Sequence, residues 1–384
     1  MRSSNPFPMR GHAPGMADHR LTYKFRLYPT RRQAALFEQT LGLCQELYNA
    51  ALQERRDAWR VNRVSVNFAA QSAQLPDIKA ARPELNGVYS QVLQDTLRRV
   101  DKTFKSFFAR VRRKEKPGFP RFRSLSRYDS FTYPQLGFSL RDSKLSLSKT
   151  GKVKIKLHRA IEGNVKTLTV KREAGRWYAC FSVVCEAKPL PVNTESVGVD
   201  VGLLAFATLS DGTEIENPRL YREAQAKLRR AQRKVARRKK GSHSRRKALQ
   251  LLQRVHAHVR YQRADFQHKL SRWLVNNYGT IAVEDLNVKG LAGAMLAKSV
   301  NDAGWSSFFA KLEYKAVNAG RQLIKVNPSG TSQTCTCGAH TPKGLSQRRH
   351  ECSECGLSAN RDHVSAQLIL GRGLRLLASS RAVA

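Results

Sequence analysis

Three carboxylates lie within, at the end of, or close to segments where an unpaired charge is costly. Asp200 sits inside the apolar run of residues 197–202, Glu284 ends the apolar run of residues 280–284, and Asp362 opens a predicted helix. A charge in an apolar strand needs a partner or a metal. Singly, Asp200 could be an ordinary strand-end acid and Asp362 a helix-start charge favoured by the helix dipole; Asp285 and Asp302 are lesser candidates.

Together, the three acids predict a site for hydrolysis of a phosphodiester. Mg²⁺ takes oxygen ligands and keeps waters for substrate phosphates. Two such ions about 4 Å apart stabilise both the attacking and the leaving oxygen. We therefore predict that Asp200, Glu284 and Asp362 are catalytic and bind two Mg²⁺ ions, for which Mn²⁺ can substitute.

Four of the seven cysteines form a second group within a short stretch, namely Cys335, Cys337, Cys352 and Cys355. In a cytosolic protein such a cluster indicates a metal rather than disulfides. Structural zinc takes four such ligands. The second pair has the usual two intervening residues, but the first pair is one residue short. His340 or His350 therefore remains open as a substitute ligand, and a metal-free thiol loop is the alternative.

The composition indicates what the chain acts on. Its 384 residues carry 69 Lys and Arg against 29 Asp and Glu, a net charge of +40, so nucleic acid is the first candidate partner. With 41% apolar residues the chain can build the cores of two or three domains. No apolar run is long enough to span a membrane, and no glycine-rich loop supports ATP use. The N-terminus lacks an apolar signal core, which indicates a cytoplasmic protein with a flexible leader at residues 1–19.

The elements that must position these groups follow from the hydrophobic periodicity. A strand at 20–29 joins residues 127–193 in a small antiparallel sheet or barrel, and residues 30–126 form an inserted helical block. Residues 194–330 and 358–375 hold the strands and helices that carry the acids, including a basic helical hairpin at 221–263. The cysteines occupy 331–357, and residues 376–384 are a tail.

Basic segments are the candidate nucleic-acid contacts. Residues 101–127 carry ten Lys and Arg against two acids, with five phenylalanines interleaved, and aromatic rings among cations suit a strand of nucleic acid. The alternative is a solvated helix whose phenylalanines fill a core. The predicted contacts are Lys24, Arg26, Tyr28, Arg112, Arg113, Arg121, Arg123, Arg237, Arg238, Lys239 and Lys240.

An ordered set of motifs between about Leu21 and Leu370 resembles one known family. The motifs are KFRLYP (24–29), GFPRF (118–122), GVDVG (198–202), RRKKG (237–241), DAGW (302–305) and LEYK (312–315). The chain resembles TnpB, the OrfB-type protein of bacterial insertion sequences, which is related to the type V CRISPR effectors.

The resemblance implies a multidomain α/β fold. Its parts would be an RNase H-like, RuvC-type nuclease domain with a zinc-ribbon insertion, and a small β-barrel wedge domain that carries an inserted helical recognition lobe. The three acids would be the RuvC-type triad of an RNA-guided endonuclease that cleaves double-stranded DNA. Its guide RNA would come from the transposon end, while the protein reads a short flanking DNA motif.

One departure from the family pattern D-R-D-x-N-A-A falls around the third acid. Here the segment reads Asn-Arg-Asp-His-Val-Ser-Ala (360–366), which keeps the catalytic acid but neither the first Asp nor the Asn. Asn360 is instead a plausible helix cap. Two other functions stay open: a catalytically silent RNA-guided DNA-binding protein, and a basic RNA-binding protein without a DNA target.

Overall fold

The computed structural model describes residues 19–293, 296–344 and 347–382, so the predicted leader lies outside the described residues except for His19. The chain divides after Cys185 into two compact units. The strands are β1 (His19–Tyr28), β2 (Ser130–Tyr133), β3 (Phe138–Arg141), β4 (Lys144–Leu147), β5 (Gly151–Lys156), β6 (Asn164–Glu173), β7 (Arg176–Cys185), β8 (Ser196–Val201), β9 (Ala205–Leu209), β10 (Glu214–Glu216), β11 (Thr280–Glu284), β12 (Gln322–Val326), β13 (Arg349–Glu351) and β14 (Ser358–Asn360). The helices are α1 (Arg31–Asn62), α2 (Phe68–Ala73), α3 (Leu75–Ala81), α4 (Ser90–Arg112), α5 (Leu220–Ala236), α6 (His243–Asn277), α7 (Val288–Leu291), α8 (Ala297–Ala303), α9 (Trp305–Ala319) and α10 (Arg361–Ala382).

The first unit contains a seven-stranded antiparallel sheet in the order β2-β6-β7-β1-β5-β4-β3. Its two edges meet through side chains: the Tyr133 hydroxyl donates to the Ser148 carbonyl at 3.1 Å, and the Tyr133 and Phe138 rings lie 6.4 Å apart. No strand pairing among the described residues joins β2 to β3. The predicted barrel is therefore a curved sheet without the backbone closure that a barrel requires.

The helices of the first unit pack on this sheet and share its core. The Phe37 ring of α1 lies 4.9 Å from Trp177 on β7 and 5.7 Å from Phe131 on β2. Arg99 of α4 donates to the Ser130 carbonyl at 2.7 Å. Thr30 begins α1 in a capping box with Gln33, which satisfies the first backbone N–H groups. The predicted helical block and sheet thus form one hydrophobic body.

The second unit is built on a five-stranded sheet in the order β10-β9-β8-β11-β12. Strands β10, β9 and β8 pair antiparallel, whereas β11 is parallel to both β8 and β12. On one face, Phe206 of β9 packs its ring 4.9 Å from Phe266 of α6 and 5.2 Å from Phe308 of α9. The opposite face carries α10 against β8 and β11.

Several boundaries differ from the sequence expectation. The basic hairpin is present as α5 and α6, but α6 continues beyond residue 263 to Asn277. The first unit ends at Cys185 rather than 193, since Leu190 N–H donates to Ala319 of the second unit. The segment predicted as a tail from residue 376 continues α10 to Ala382. Among the described residues, no helix is both long and apolar enough to cross a membrane.

Candidate active site

Asp200 and Glu284 are brought together by neighbouring parallel strands. Val199 of β8 pairs with Val283 of β11, so the two acids that follow are adjacent at the carboxyl ends of both strands. Neighbouring strands are about 4.8 Å apart. The register therefore places the two acids at the same edge of the sheet.

Two glycines decide which helix covers this edge. A Cβ on Gly198 would lie 2.0 Å from the Ala366 carbonyl, and a Cβ on Gly373 would lie 2.7 Å from the Ala282 Cβ. Residues two apart share a face of a strand, so Asp200 projects on the side of Gly198 and Glu284 on the side of Ala282. Both carboxylates therefore face α10, the helix that begins with Arg361 and Asp362.

The charges of the other two acids act on Asp200. Burial, and then the charges of Glu284 and Asp362, raise the pKa of Asp200 well above its ordinary value, while Arg361 opposes this. Burial also raises the pKa of Glu284, against the effect of a hydrogen bond from Thr331. Within the part of the chain that the structure describes, no hydrogen bond or ion pair reaches the Asp200 carboxylate. A divalent cation would offset the cost of keeping Asp200 and Glu284 ionised beside the Asp362 carboxylate.

Asn360 supplies the local support of Asp362. Its side-chain oxygen accepts from the Asp362 backbone N–H at 2.9 Å, and its amide donates to Glu214 at 2.8 Å. The Arg361 side chain lies 3.5 Å from the Asp362 carboxylate. The departure from the family pattern at this point is therefore accommodated by an Asn cap, as the sequence predicted.

Two further residues at the site had no signal in the sequence. Thr331 donates its hydroxyl to Glu284 Oε1 at 2.5 Å, and both side chains are buried. Arg372 of α10 donates to the carbonyls of Asn327 at 2.9 Å and Ser329 at 2.7 Å. The helix that carries Asp362 thus holds the loop that orients Glu284. Thr331 lies in a loop, and Arg372 lies on α10 but contacts a loop that is distant in the chain, so no pattern along the sequence marked either residue.

We expect the Thr331 hydroxyl to set the metal affinity of the site. Thr331→Val keeps the shape of the side chain but removes the donor, and outer partners of this kind typically contribute about 10- to 100-fold in metal affinity or activity. Titration of Mn²⁺ followed by electron paramagnetic resonance should show weaker binding in Thr331→Val and near-normal binding in Thr331→Ser. Equal affinities in all three proteins would show that the contact is only structural.

The four cysteines gather as predicted. Their sulfurs all lie within 4.8 Å of one another, and the shorter Cys-x-Cys pair does not prevent this. Cys335 and Cys352 are buried, while Cys337 and Cys355 are exposed. The gathered set needs neither of the histidines that the sequence left open: His350 is fully buried and contacts Lys343.

The thiols are poised to hold a cation. Backbone N–H groups of Cys355 and Glu354 lower the pKa of Cys352 to about 6, so this thiol ionises readily. The backbone of Leu357 favours the Cys355 thiolate, but neighbouring thiols raise its pKa overall. The neighbouring thiols therefore oppose ionisation of Cys355 when no cation is bound. This arrangement is compatible with structural zinc, which binds four thiolates.

The two lesser acidic candidates lie outside the site. Asp302 is buried and accepts from the backbone of Tyr221 at 2.8 Å and from Arg263 at 3.3 Å, so it caps the start of α5. Asp285 is exposed and follows the end of β11. Because consecutive residues along a strand point to opposite faces, Asp285 does not share the face of Glu284.

The predicted nucleic-acid contacts differ in availability. Lys24 is paired with Glu173 at 2.7 Å, and Arg26 lies over the Tyr28 ring at 4.8 Å. The other predicted contacts are exposed cations, namely Arg112, Arg113, Arg121, Arg123, Arg237, Arg238, Lys239 and Lys240. On α5, a shallow cavity of about 350 Å³ is lined by cations alone, at Arg230, Arg233, Lys234, Arg237 and Arg238. These residues recur at helical spacing on the face opposite the buried Leu228, Ala231 and Val235.

The fold and its two clusters define a strongly basic, multidomain α/β protein with a carboxylate site and a separate thiol site. A family model described as the probable transposase OrfB of IS605 matches residues 166–295. A Cas12f1-like TNB domain model matches residues 305–369, and a helix-turn-helix domain model matches residues 16–63. The described residues of the last match form β1 and α1.

Whole-length relatives agree with these matches. A protein of Streptomyces pristinaespiralis, provisionally named an RNA-guided DNA endonuclease, is 37% identical over 92% of this chain and 89% of its own. InsQ of Escherichia coli K12, provisionally named in the same way, is 31% identical over 94% of both chains. The solved structure of the mini RNA-guided endonuclease CRISPR-Cas phi3 has a TM-score of 0.48 and 10% identity over 92% of both chains. The chain belongs to the OrfB-type, TnpB family of insertion sequences.

Proposed function

We propose that this protein is an RNA-guided, Mg²⁺-dependent DNA endonuclease of an insertion sequence. It uses a guide RNA derived from the transposon end, together with a short flanking DNA motif, to cleave double-stranded DNA. The observation that carries this proposal is that Asp200 and Glu284 lie at adjacent strand ends on the face covered by α10, the helix that begins with Arg361 and Asp362. The names of the two whole-length relatives support the same activity.

The strand order and directions of the second unit support an RNase H-like, RuvC-type nuclease domain. Three antiparallel strands followed by two parallel ones place two of the acids at the ends of adjacent central strands. In this proposal the second unit is the nuclease domain, and residues 331–357 are its zinc-ribbon insertion. The sheet of the first unit is the wedge, and its helices are the recognition lobe.

The three carboxylates would hold two Mg²⁺ ions, with Mn²⁺ able to substitute. When bound, the ions would stabilise the attacking and leaving oxygens of the phosphodiester. Thr331 holds one oxygen of Glu284, so the other remains for a metal. Arg361 and Asn360 fix Asp362 at the helix start. These contacts hold the carboxylates of Glu284 and Asp362 in place.

The net charge supports the proposed partners. A guide RNA and a DNA–RNA duplex are recognised by their backbones, which requires many exposed cations. The basic face of α5 supplies five cations with no acid lining the same cavity. We propose that this face, which continues into the exposed Lys239 and Lys240, binds phosphates.

Reversing the charge of Arg237, Arg238, Lys239 and Lys240 to Glu is expected to weaken nucleic-acid binding of every sequence alike. Each lost phosphate contact should lower the slope of log K against log salt by roughly 1. The matched control is Lys269→Glu, an exposed lysine already paired with Asp265. Binding measured by fluorescence anisotropy across salt concentrations tests this, and an unchanged slope would assign the four cations to a merely solvated surface.

The decisive test of the proposal is plasmid cleavage by the protein co-expressed with its flanking locus, with the guide end reprogrammed and the target flank randomised. Cleavage that requires Mg²⁺, the guide and Asp200 would establish the enzyme and identify the flanking motif. Guide-dependent DNA binding without cleavage would instead establish a catalytically silent binding protein. RNA binding without any duplex target would contradict both the endonuclease and the silent DNA-binding protein.

A further inference from the structure

A stripe of phenylalanines on α4 leaves the core and continues on the surface. The buried positions Val92, Leu93, Leu97 and Val100 line one face of this helix. Phe104, Phe107 and Phe108 follow at the same helical spacing, but Phe108 is 54% exposed. Phe119, from the irregular segment that follows, joins them and is 50% exposed. We call these four residues the ring cluster.

The rings of the ring cluster pack against one another. Phe107 lies 5.2 Å from Phe108 and 5.4 Å from Phe119, and Phe104 lies 6.0 Å from Phe119, all edge to face. Behind the cluster, the Arg55 guanidinium lies 5.4 Å over the Phe104 ring and is itself buried. The two exposed rings are therefore supported from beneath, and they present aromatic surface that no described residue covers.

The surroundings of the ring cluster favour a polyanion. Ten exposed cations surround it in sequence, at Lys102, Lys105, Arg110, Arg112, Arg113, Lys114, Lys116, Arg121, Arg123 and Arg127. The two acids of the same segment are already paired, Asp101 with Lys105 at 2.9 Å and Glu115 with Arg113 at 3.5 Å. An unpaired strand of nucleic acid offers both bases that stack on rings and phosphates that pair with cations, whereas a duplex hides its base faces.

We propose that the ring cluster is a stacking platform for the unpaired strand of the target DNA. This inference rests on the proposed function, because RNA-guided pairing displaces one DNA strand. Phenyl rings carry no hydrogen-bonding groups, so they accept any base. This lack of base specificity suits the target DNA, whose sequence changes with each guide. The structured part of a guide RNA is constant and would not require it.

The test uses the full chain with its guide RNA and a single-stranded DNA that contains one 2-aminopurine, whose fluorescence falls on stacking. Metal is omitted, so the result does not depend on cleavage. Phe108→Leu with Phe119→Leu keeps the apolar surface but removes both ring faces. We expect about 5- to 150-fold weaker binding for each lost stacked base, with loss of quenching. Phe108→Tyr with Phe119→Tyr should bind and quench like the wild type.

Three outcomes would overturn the platform. Wild-type quenching in the leucine variant would show that the ring cluster is only a small apolar core. Stronger quenching by the matching single-stranded RNA would assign the surface to the guide. Competition by vesicles of anionic lipid, but not by DNA, would assign it to a membrane surface. If the protein stacks DNA on these rings but does not cleave it, the stacking platform is supported and the proposed nuclease activity is contradicted.

Discussion

Glu284→Gln or Asp200→Asn is expected to abolish guide-dependent DNA cleavage while leaving RNA binding intact. Each change removes one negative charge and one metal-ligating oxygen without altering the shape of the side chain. Losses for a catalytic residue that acts as part of a unit reach 10³-fold or more in typical enzymes. Single-turnover cleavage in Mg²⁺ measures the effect, and Asp285→Asn is the matched control because it removes the exposed carboxylate next in the chain.

The same variants should make the metal-free protein more stable. The pKa of Asp200 is raised in the folded state. At pH values above the pKa of this group in the unfolded chain, the cost of ionising Asp200 therefore lowers the free energy of unfolding. Asparagine removes that cost, and Tm of Asp200→Asn without metal should rise by a few degrees. Mg²⁺ should raise Tm of the wild type and have much less effect on the variant. Loss of RNA binding in both active-site variants would contradict the assignment of these acids as metal ligands.

Removing zinc is expected to unfold the segment that carries the four cysteines, which lies in the chain between Thr331 and helix α10. Zinc-binding free energies of about 10–16 kcal/mol in small zinc domains exceed what a short hairpin contributes by itself. The hairpin of β13 and β14 leads directly into α10, and Cys335 follows the loop that holds Thr331. Cys352→Ser should therefore lose its zinc, increase hydrogen exchange at residues 349–360, and reduce cleavage.

Elemental analysis of the purified chain should find one zinc per molecule in the wild type and none in Cys352→Ser. Cys180→Ser is the matched control, since this half-buried thiol on β7 lies outside the cluster. A strong chelator should reproduce the effects of Cys352→Ser in the wild type only. A metal-free wild type with protected amides at residues 349–360 would instead establish the thiol loop that the sequence left open.

Short-range patterns in the sequence predicted much of the local structure. Strand β11 has the bounds of the apolar run at residues 280–284, and the four cysteines gather as their clustering indicated. The excess of cations and the scarcity of acids directed attention to Asp200, Glu284 and Asp362. These features depend on neighbours in the chain, so periodicity, spacing and charge are enough to identify them.

The tertiary structure decided everything that depends on distant parts of the chain. The register of β8 on β11 makes Asp200 and Glu284 neighbours, and Gly198 and Gly373 let α10 approach closely enough to bring Asp362 to them. Thr331 and the shared core of the first unit's helices and sheet had no local signature. Close packing depends on the shapes of surfaces that meet only after folding, and no pattern along the chain records those shapes.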